Sequence, residues 1–167
     1  LFILAIILVV MEYGRPKLVT KDDMVLEIRS GLFKDKSKVK EIIIPSGITQ
    51  IGNAAFEGCV ELKTIHLPDG IERIGSSAFK DCSKLQDINL PASLKEIDGG
   101  AFVNCSSLIT IDIPESVESM GGMVFWGCNK LHKIKLSNKL SVIEAGMFWE
   151  CSDLEHVELP ENLILIG

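Results

Sequence analysis

Cysteine, histidine and tryptophan are the side chains here with the widest chemical reach, and the chain carries five Cys, three His and two Trp. Cys59, Cys82, Cys105, Cys128 and Cys151 are each 23 residues from the next. Thiols can ligate metal, pair as disulfides or attack electrophiles, but each use needs convergence that even spacing does not give. No Cys-x-x-Cys pair is present. Coils stacked at about 4.8 Å would bring neighbouring thiols within disulfide reach. Side chains in one ladder point the same way, however, and an odd, evenly spaced set has no natural pairing. The expectation is buried thiols acting as small hydrophobes.

His66, His132 and His156 fall at three different phases of the 23-residue step, so they do not converge as metal ligands would. Patterns for a nucleophile elbow, a phosphate loop, a zinc-protease helix and a calcium loop are all missing from the sequence. Acid pairs such as Asp81 and Asp87 have no indicated partner. The sequence therefore predicts no catalysis, no metal, no cofactor and no small-molecule substrate. The one N-x-S triplet, Asn104-Cys105-Ser106, has a core Cys at its centre and is discounted as a glycosylation site.

The spacing that denies the cysteines a site defines the architecture. Phe56, Phe79, Phe102, Phe125 and Phe148 keep the 23-residue step three positions ahead of each Cys. Leu62, Leu85, Leu108, Leu131 and Leu154 form a third column, and Ile51, Ile74, Ile97, Met120, Ile143 and Ile166 a fourth. Five complete units run 42–64, 65–87, 88–110, 111–133 and 134–156, and a sixth begins at Val157 and is cut at Gly167. An uncapped edge exposes strands and core, so further repeats or a cap are expected beyond it. Upstream, Val25, Ile28, Phe33 and Val39 are in register, with Lys36 where Cys would stand. A polar first coil suits a cap.

Within a unit, L-x-x-I-x-L alternates as a short strand that Pro ends at 45, 68, 91, 114 and 160. A second extended piece follows, such as 71–74. Gly52, Gly75, Gly121 and Gly167 then mark a corner expected to need positive φ, with Asp98 tolerable there and Glu144 a departure. In A-F-x-x-C, Phe and Cys three residues apart share one side of a helical or 3₁₀ turn and point inward. No unit buries its apolar face alone, so strands stack in parallel and the core is shared between coils.

These residues resemble the BspA-type leucine-rich repeats of bacterial and protist surface proteins, over about 25–167. The fold class implied is a leucine-rich-repeat solenoid, a parallel β-strand stack with short helical or 3₁₀ turns, mainly β within the α/β repeat class. The departures are Ser137 for the strand-ending Pro, and Val124 and Met147 for Ala beside Phe, which predict a wider turn there. The resemblance implies adhesion or protein recognition and carries no catalytic residue.

A net charge of −6 argues against nucleic acid. Lys34, Lys36, Lys38 and Lys40 read as a solvated loop. Residues 1–11 are an apolar segment too short to span a membrane, readable as a signal core, the end of an anchor, or sequence upstream of a start at Met11. Residues 12–41 read as an amino-terminal cap with a degenerate first repeat, and 42–167 as five repeats and part of a sixth. The leading expectation is a secreted or surface-attached module, possible membrane or cell-surface attachment included, that binds a protein. A cytoplasmic interaction scaffold and a spacer beside another domain are the alternatives.

Recognition in a repeat protein resides in variable positions on a regular face. One strand-face column reads Ile43, His66, Asn89, Asp112, Lys135, Glu158, and its neighbour Glu41, Thr64, Asp87, Thr110, Lys133, His156. His66, Asn89, Asp112, Lys135, Glu158, Asp87, Lys133 and His156 are the candidate contacts, with cross-strand pairing of Asp112 to Lys135 and Glu158 as the plainer use. The position after each core Phe runs Glu57, Lys80, Val103, Trp126, Trp149, so the two Trp are expected side by side as an aromatic platform near Met123.

Overall fold

The computed structural model describes residues 8–12, 15–19 and 27–167. Residues 1–7 of the apolar segment, and Val25, lie outside them. β1 (Leu8–Glu12) and β2 (Arg15–Val19) form an antiparallel hairpin. The repeats follow as β3 (Glu27–Ile28), β4 (Val39–Ile43), β5 (Gln50–Ile51), β6 (Thr64–His66), β7 (Arg73–Ile74), β8 (Glu96–Ile97) and β9 (Thr110–Asp112). β10 (Ser119–Met120), β11 (Lys133–Lys135), β12 (Val142–Ile143), β13 (His156–Glu158) and β14 (Leu165–Ile166) complete the set. β1 pairs antiparallel with β4, so a strand of reversed direction lies on the amino edge of the stack.

Each coil has three sides. The strand side carries β4, β6, β9, β11 and β13, and the second side carries β3, β5, β7, β8, β10, β12 and β14. The third is the turn holding Phe and Cys. Register is one repeat per step: Ile42 opposite Ile65, Ile111 opposite Ile134, Ile134 opposite Val157. The degenerate first coil obeys it, with Ile28 opposite Ile51 and Phe33 stacked on Phe56 at 5.3 Å.

The turn side is the continuous spine. At every junction from the Phe33 coil to the Phe148 coil, three amides donate to the following coil at 2.7–3.1 Å, for example Ala54 to Ser76, Phe56 to Ala78 and Gly58 to Lys80. The intervening amides close i→i−3 turns within the coil, as in Ala55 to Gly52, Glu57 to Ala54 and Cys59 to Phe56. The 3₁₀-type bond is thus present as single turns. Alternate amides leave for the neighbour, so no helix propagates.

The other two sides are interrupted. On the strand side, Asp87–Asn89 forms no strand, and strand pairing stops between β6 and β9. On the second side it stops between β10 and β12. The strands stack in parallel as expected, and their pairing lapses at these two places. Ile88 stays buried across the first, so core stacking continues where the ladder does not.

The corner glycines are also corrected. Positive φ belongs instead to two full columns, residues 31, 54, 77, 100, 123 and 146, and residues 35, 58, 81, 104, 127 and 150, at 52° to 74°, and to Gly47 and Gly70 at 93° and 106°. Gly52, Gly75, Gly121 and Gly167 are not among them. At Gly75, Gly121 and Gly167 glycine serves close approach instead, because a Cβ on Gly75 would sit 2.7 Å from Asn53 N, one on Gly121 2.7 Å from Gly99 Cα and one on Gly167 2.8 Å from Ala145 N.

Phe56, Phe79, Phe102 and Phe125 are fully buried, with ring centroids 5.3 Å apart along the first part of the stack. The spacing grows to 5.7 Å for Phe102–Phe125 and 5.9 Å for Phe125–Phe148, where Val124 and Met147 replace Ala, as their bulk predicts. Ser137, in place of Pro, is buried. Its hydroxyl donates to Val117 O at 2.7 Å and accepts from Lys139 N at 3.2 Å, serving the buried polar groups that Pro would leave to others.

Candidate recognition surfaces

The cysteines are free thiols, buried in four coils and half-buried at Cys151. Each Sγ donates to the Phe carbonyl of the preceding coil: Cys82 to Phe56 at 3.2 Å, Cys105 to Phe79 at 3.2 Å, Cys128 to Phe102 at 3.1 Å. The ladder is therefore apolar packing with a weak donor added. Burial pushes the Cys59 and Cys151 thiols up to about 11 and those of Cys82, Cys105 and Cys128 well above the usual range. A group that resists forming thiolate is a poor nucleophile and metal ligand. Asn104 is exposed, but its Nδ2 donates to Asp81 Oδ1 at 2.8 Å, with buried Cys105 beside it.

On the strand side the buried and exposed positions alternate as predicted. His66, Asp87, Asn89, Asp112, Lys133, Lys135 and His156 are exposed, and Glu158 is half-buried. Register sets Asp112 opposite Lys135 and Lys135 opposite Glu158, but opposition does not become pairing. The Lys135 ammonium reaches Glu115 at 3.1 Å, because that carboxylate lies just past the end of β9. Lys133 takes Glu158 at 2.7 Å, and that hydrogen bond holds the Glu158 carboxyl below its ordinary range. The expected pairings of Lys135 with Asp112 and Glu158 are thus replaced. His66 lies 3.5 Å from Glu41, and His156 4.0 Å from Glu158.

Among the described residues, Asp87, Asn89 and Asp112 have no recorded hydrogen bond or ion pair through their side chains. Ile109, on the coil of Asp112, is 50% exposed. The centre of the strand face is thus anionic and partly apolar, with the Lys133 charge close enough to act on Asp112.

On the turn side, the column after each Phe begins as an ion ladder. Glu57 accepts from Lys34 at 2.8 Å and from Lys80 at 3.3 Å, and the Lys34 hydrogen bond leads in lowering its pKa. Val103 is buried, and then come the two Trp. Their rings stack at 5.5 Å and 20°. The two Trp thus stand side by side on adjacent coils as a short stack, in which one face of each ring lies against the other. Trp149 is 61% exposed and Met123 42%, while Trp126 is half-buried with its indole N–H unpaired.

Sequence reasoning missed a cavity of about 350 Å³ on the second side, lined by Arg73, Glu96, Asp98, Ser119 and Gly121 among others. Arg73 donates to Asp98 at 2.7 Å, and its Nε lies 3.2 Å from Glu96 without completing a hydrogen bond. The signal was Asp98 in a Gly column followed by Gly121 one coil later: a carboxylate where neighbours have no side chain leaves a charged floor under an open space. Among the described residues, no group of three His, Cys, Asp or Glu is placed to hold a metal ion, and no helix is long and apolar enough to cross a membrane.

A family profile described as the BspA type leucine rich repeat region matches six copies over residues 26–155. The chain belongs to the BspA-type leucine-rich repeat family. The match starts at residue 26 and so takes in the coil with Lys36 in place of Cys. Among solved structures, this BspA-type chain is similar to the leucine-rich repeat protein TpLRR of T. pallidum, at 32% identity and a TM-score of 0.83, over 85% of this chain and 67% of that one. A protein of Bacteroides ovatus matches at 34% identity and TM-score 0.69, over 95% of this chain and 46% of that one. A leucine rich cell surface protein of Faecalibacterium prausnitzii matches at 33% and 0.68, over 71% and 31%. The chain thus spans about two thirds of the first and less than half of the other two. No curated protein matches.

Proposed function

We propose that this BspA-type chain is a non-catalytic protein-recognition module that binds through its strand face, within a secreted or surface-attached protein. The observation that carries this reading is the set Asp87, Asn89 and Asp112. These exposed polar side chains lie on adjacent coils of a regular face, and neighbouring carboxylates such as Glu41, Glu115 and Glu158 are engaged while they are not. A rigid scaffold with unspent hydrogen-bonding groups at its centre suits a protein partner, whose donors would satisfy them. Support for the location is the similarity to a protein of F. prausnitzii described as a cell surface protein.

The test is an arrayed panel of extracellular proteins probed with the purified chain, followed by Asp87→Lys with Asp112→Lys at constant salt. Binding should weaken at least about tenfold, as loss of central contacts does at interfaces, with the circular dichroism spectrum unchanged. Affinity unchanged by the double reversal contradicts the strand-face reading. A second reading rests on the exposed ring of Trp149, since aromatic side chains anchor many interfaces. Replacing Trp126 and Trp149 together by Ala separates the two. Loss of binding in that variant alone assigns recognition to the turn side, and loss in neither makes the segment a spacer.

A further inference from the structure

The strand side is interrupted at a single coil, and what surrounds that coil defines a motion. Between β4 and β6, Lys63 N donates to Lys40 O at 2.9 Å and Ile44 N to His66 O at 3.0 Å. Between β9 and β11, His132 N donates to Ile109 O at 3.0 Å and Ile113 N to Lys135 O at 3.3 Å. The coil carrying Asp87–Asn89 has no counterpart of these bonds to β6, and one to β9, Ile109 N to Gln86 O at 3.1 Å. The same two junctions are closed on their other sides. β5, β7, β8 and β10 pair without a gap, and Ser77, Phe79 and Asp81, then Gly100, Phe102 and Asn104, donate across the turn side.

The side chains account for the gap. Asp and Asn are poor strand residues because their short polar groups compete for the backbone. Asp87 and Asp112 are moreover like charges on adjacent coils, and neither is in an ion pair among the described residues, although the Lys133 charge acts on Asp112 from the next coil. The intact coils place Thr64, Thr110 and Lys133 in the Asp87 column, whereas the Asn89 column holds His66, Asp112 and Lys135 in strands, so Asp87 is the position that sets this coil apart.

We infer that the solenoid flexes at this coil: the β4–β6 block and the β9–β11–β13 block part on the strand side at Asp87–Asn89, with the turn-side ladder as the pivot. Parting there breaks one hydrogen bond, whereas parting at the β9–β11 junction breaks a full parallel ladder. The motion changes the curvature of the strand face at its middle. It does not depend on whether that face binds a partner.

Amide hydrogen exchange of the whole chain, resolved by NMR and corrected for intrinsic rates, tests the inference through Ile109 and His132. Both amides are bonded to the preceding coil in the same way, so a static gap leaves them equally protected. Flexing at Asp87–Asn89 makes Ile109 exchange at least about tenfold faster than His132, while Phe79 and Phe102 on the turn side remain the slowest of the four. Asp87→Thr with Asn89→Lys should bring Ile109 to within about twofold of His132. Equal protection of Ile109 and His132 in the native chain overturns the inference, as does an Ile109 rate that the double substitution leaves unchanged.

Discussion

A buried side chain here works through its counterpart one coil away, which makes single substitutions informative. Phe102 sits in mid-stack between Phe79 and Phe125, with centroids 5.3 and 5.7 Å away, and is fully buried. Phe102→Ala should cost about 3 to 5 kcal/mol through the cavity it leaves, read from urea melts. Glu57 contacts two lysines on adjacent coils at the surface, and Glu57→Gln should cost only a small fraction of that, because exposed pairs are weak. Comparable losses would show that the inward and outward columns are misassigned. The cysteines give a pH dependence. Their folded pKa values lie above the ordinary 9.0, at about 11 for Cys59. Unfolded chain therefore ionises first as pH rises, and the stability present below pH 9 should fall between there and 11. Thiol reagents at neutral pH should label Cys82, Cys105 and Cys128 only at the rate of unfolding. Fast labelling of those three without denaturant would defeat the buried ladder.

At the scale of elements, the inward columns, the coil register and the free thiols were legible because a 23-residue period assigns every coil at once. The corner was misplaced because Gly carries two signals, positive φ and close approach, and sequence does not distinguish them. The left-handed residues Ala54, Ser77, Met123 and Glu150 give no compositional hint. Gly121 separates the two roles. A Cβ there would strike the backbone N and Cα of Gly99 on the preceding coil, whereas one on Gly99 would meet Gly122 O at 3.3 Å, a tight contact relieved by a shift of a few tenths of an ångström. Gly121→Ala should therefore cost about 1 to 3 kcal/mol, in the range of overpacking, and Gly99→Ala clearly less in the same melts. A reversed order would return the corner to a conformational role. The candidate surface was legible as columns but not as contacts: which lysine reaches which carboxylate depends on side-chain reach past the strand ends, as Lys135 to Glu115 shows.

Across the whole molecule, the three sides have separate tasks. The turn side holds the stack, with its unbroken hydrogen bonds, Phe rings and Cys donors. The second side carries a shallow charged cavity, and the strand side presents side chains that the fold does not use. The recognition we propose for this BspA-type chain would rest on that division, since positions free of structural duty can change without loss of the scaffold. The most direct measurement is the hydrogen-exchange footprint of a partner recovered from the extracellular panel, bound to the native chain at near saturation. Recognition through the strand face predicts new protection over Thr64–His66, Gln86–Leu90 and Thr110–Asp112, with the turns around Trp126 and Trp149 unchanged. Protection confined to the Trp turns, or absent from the strand face while binding persists, would contradict it.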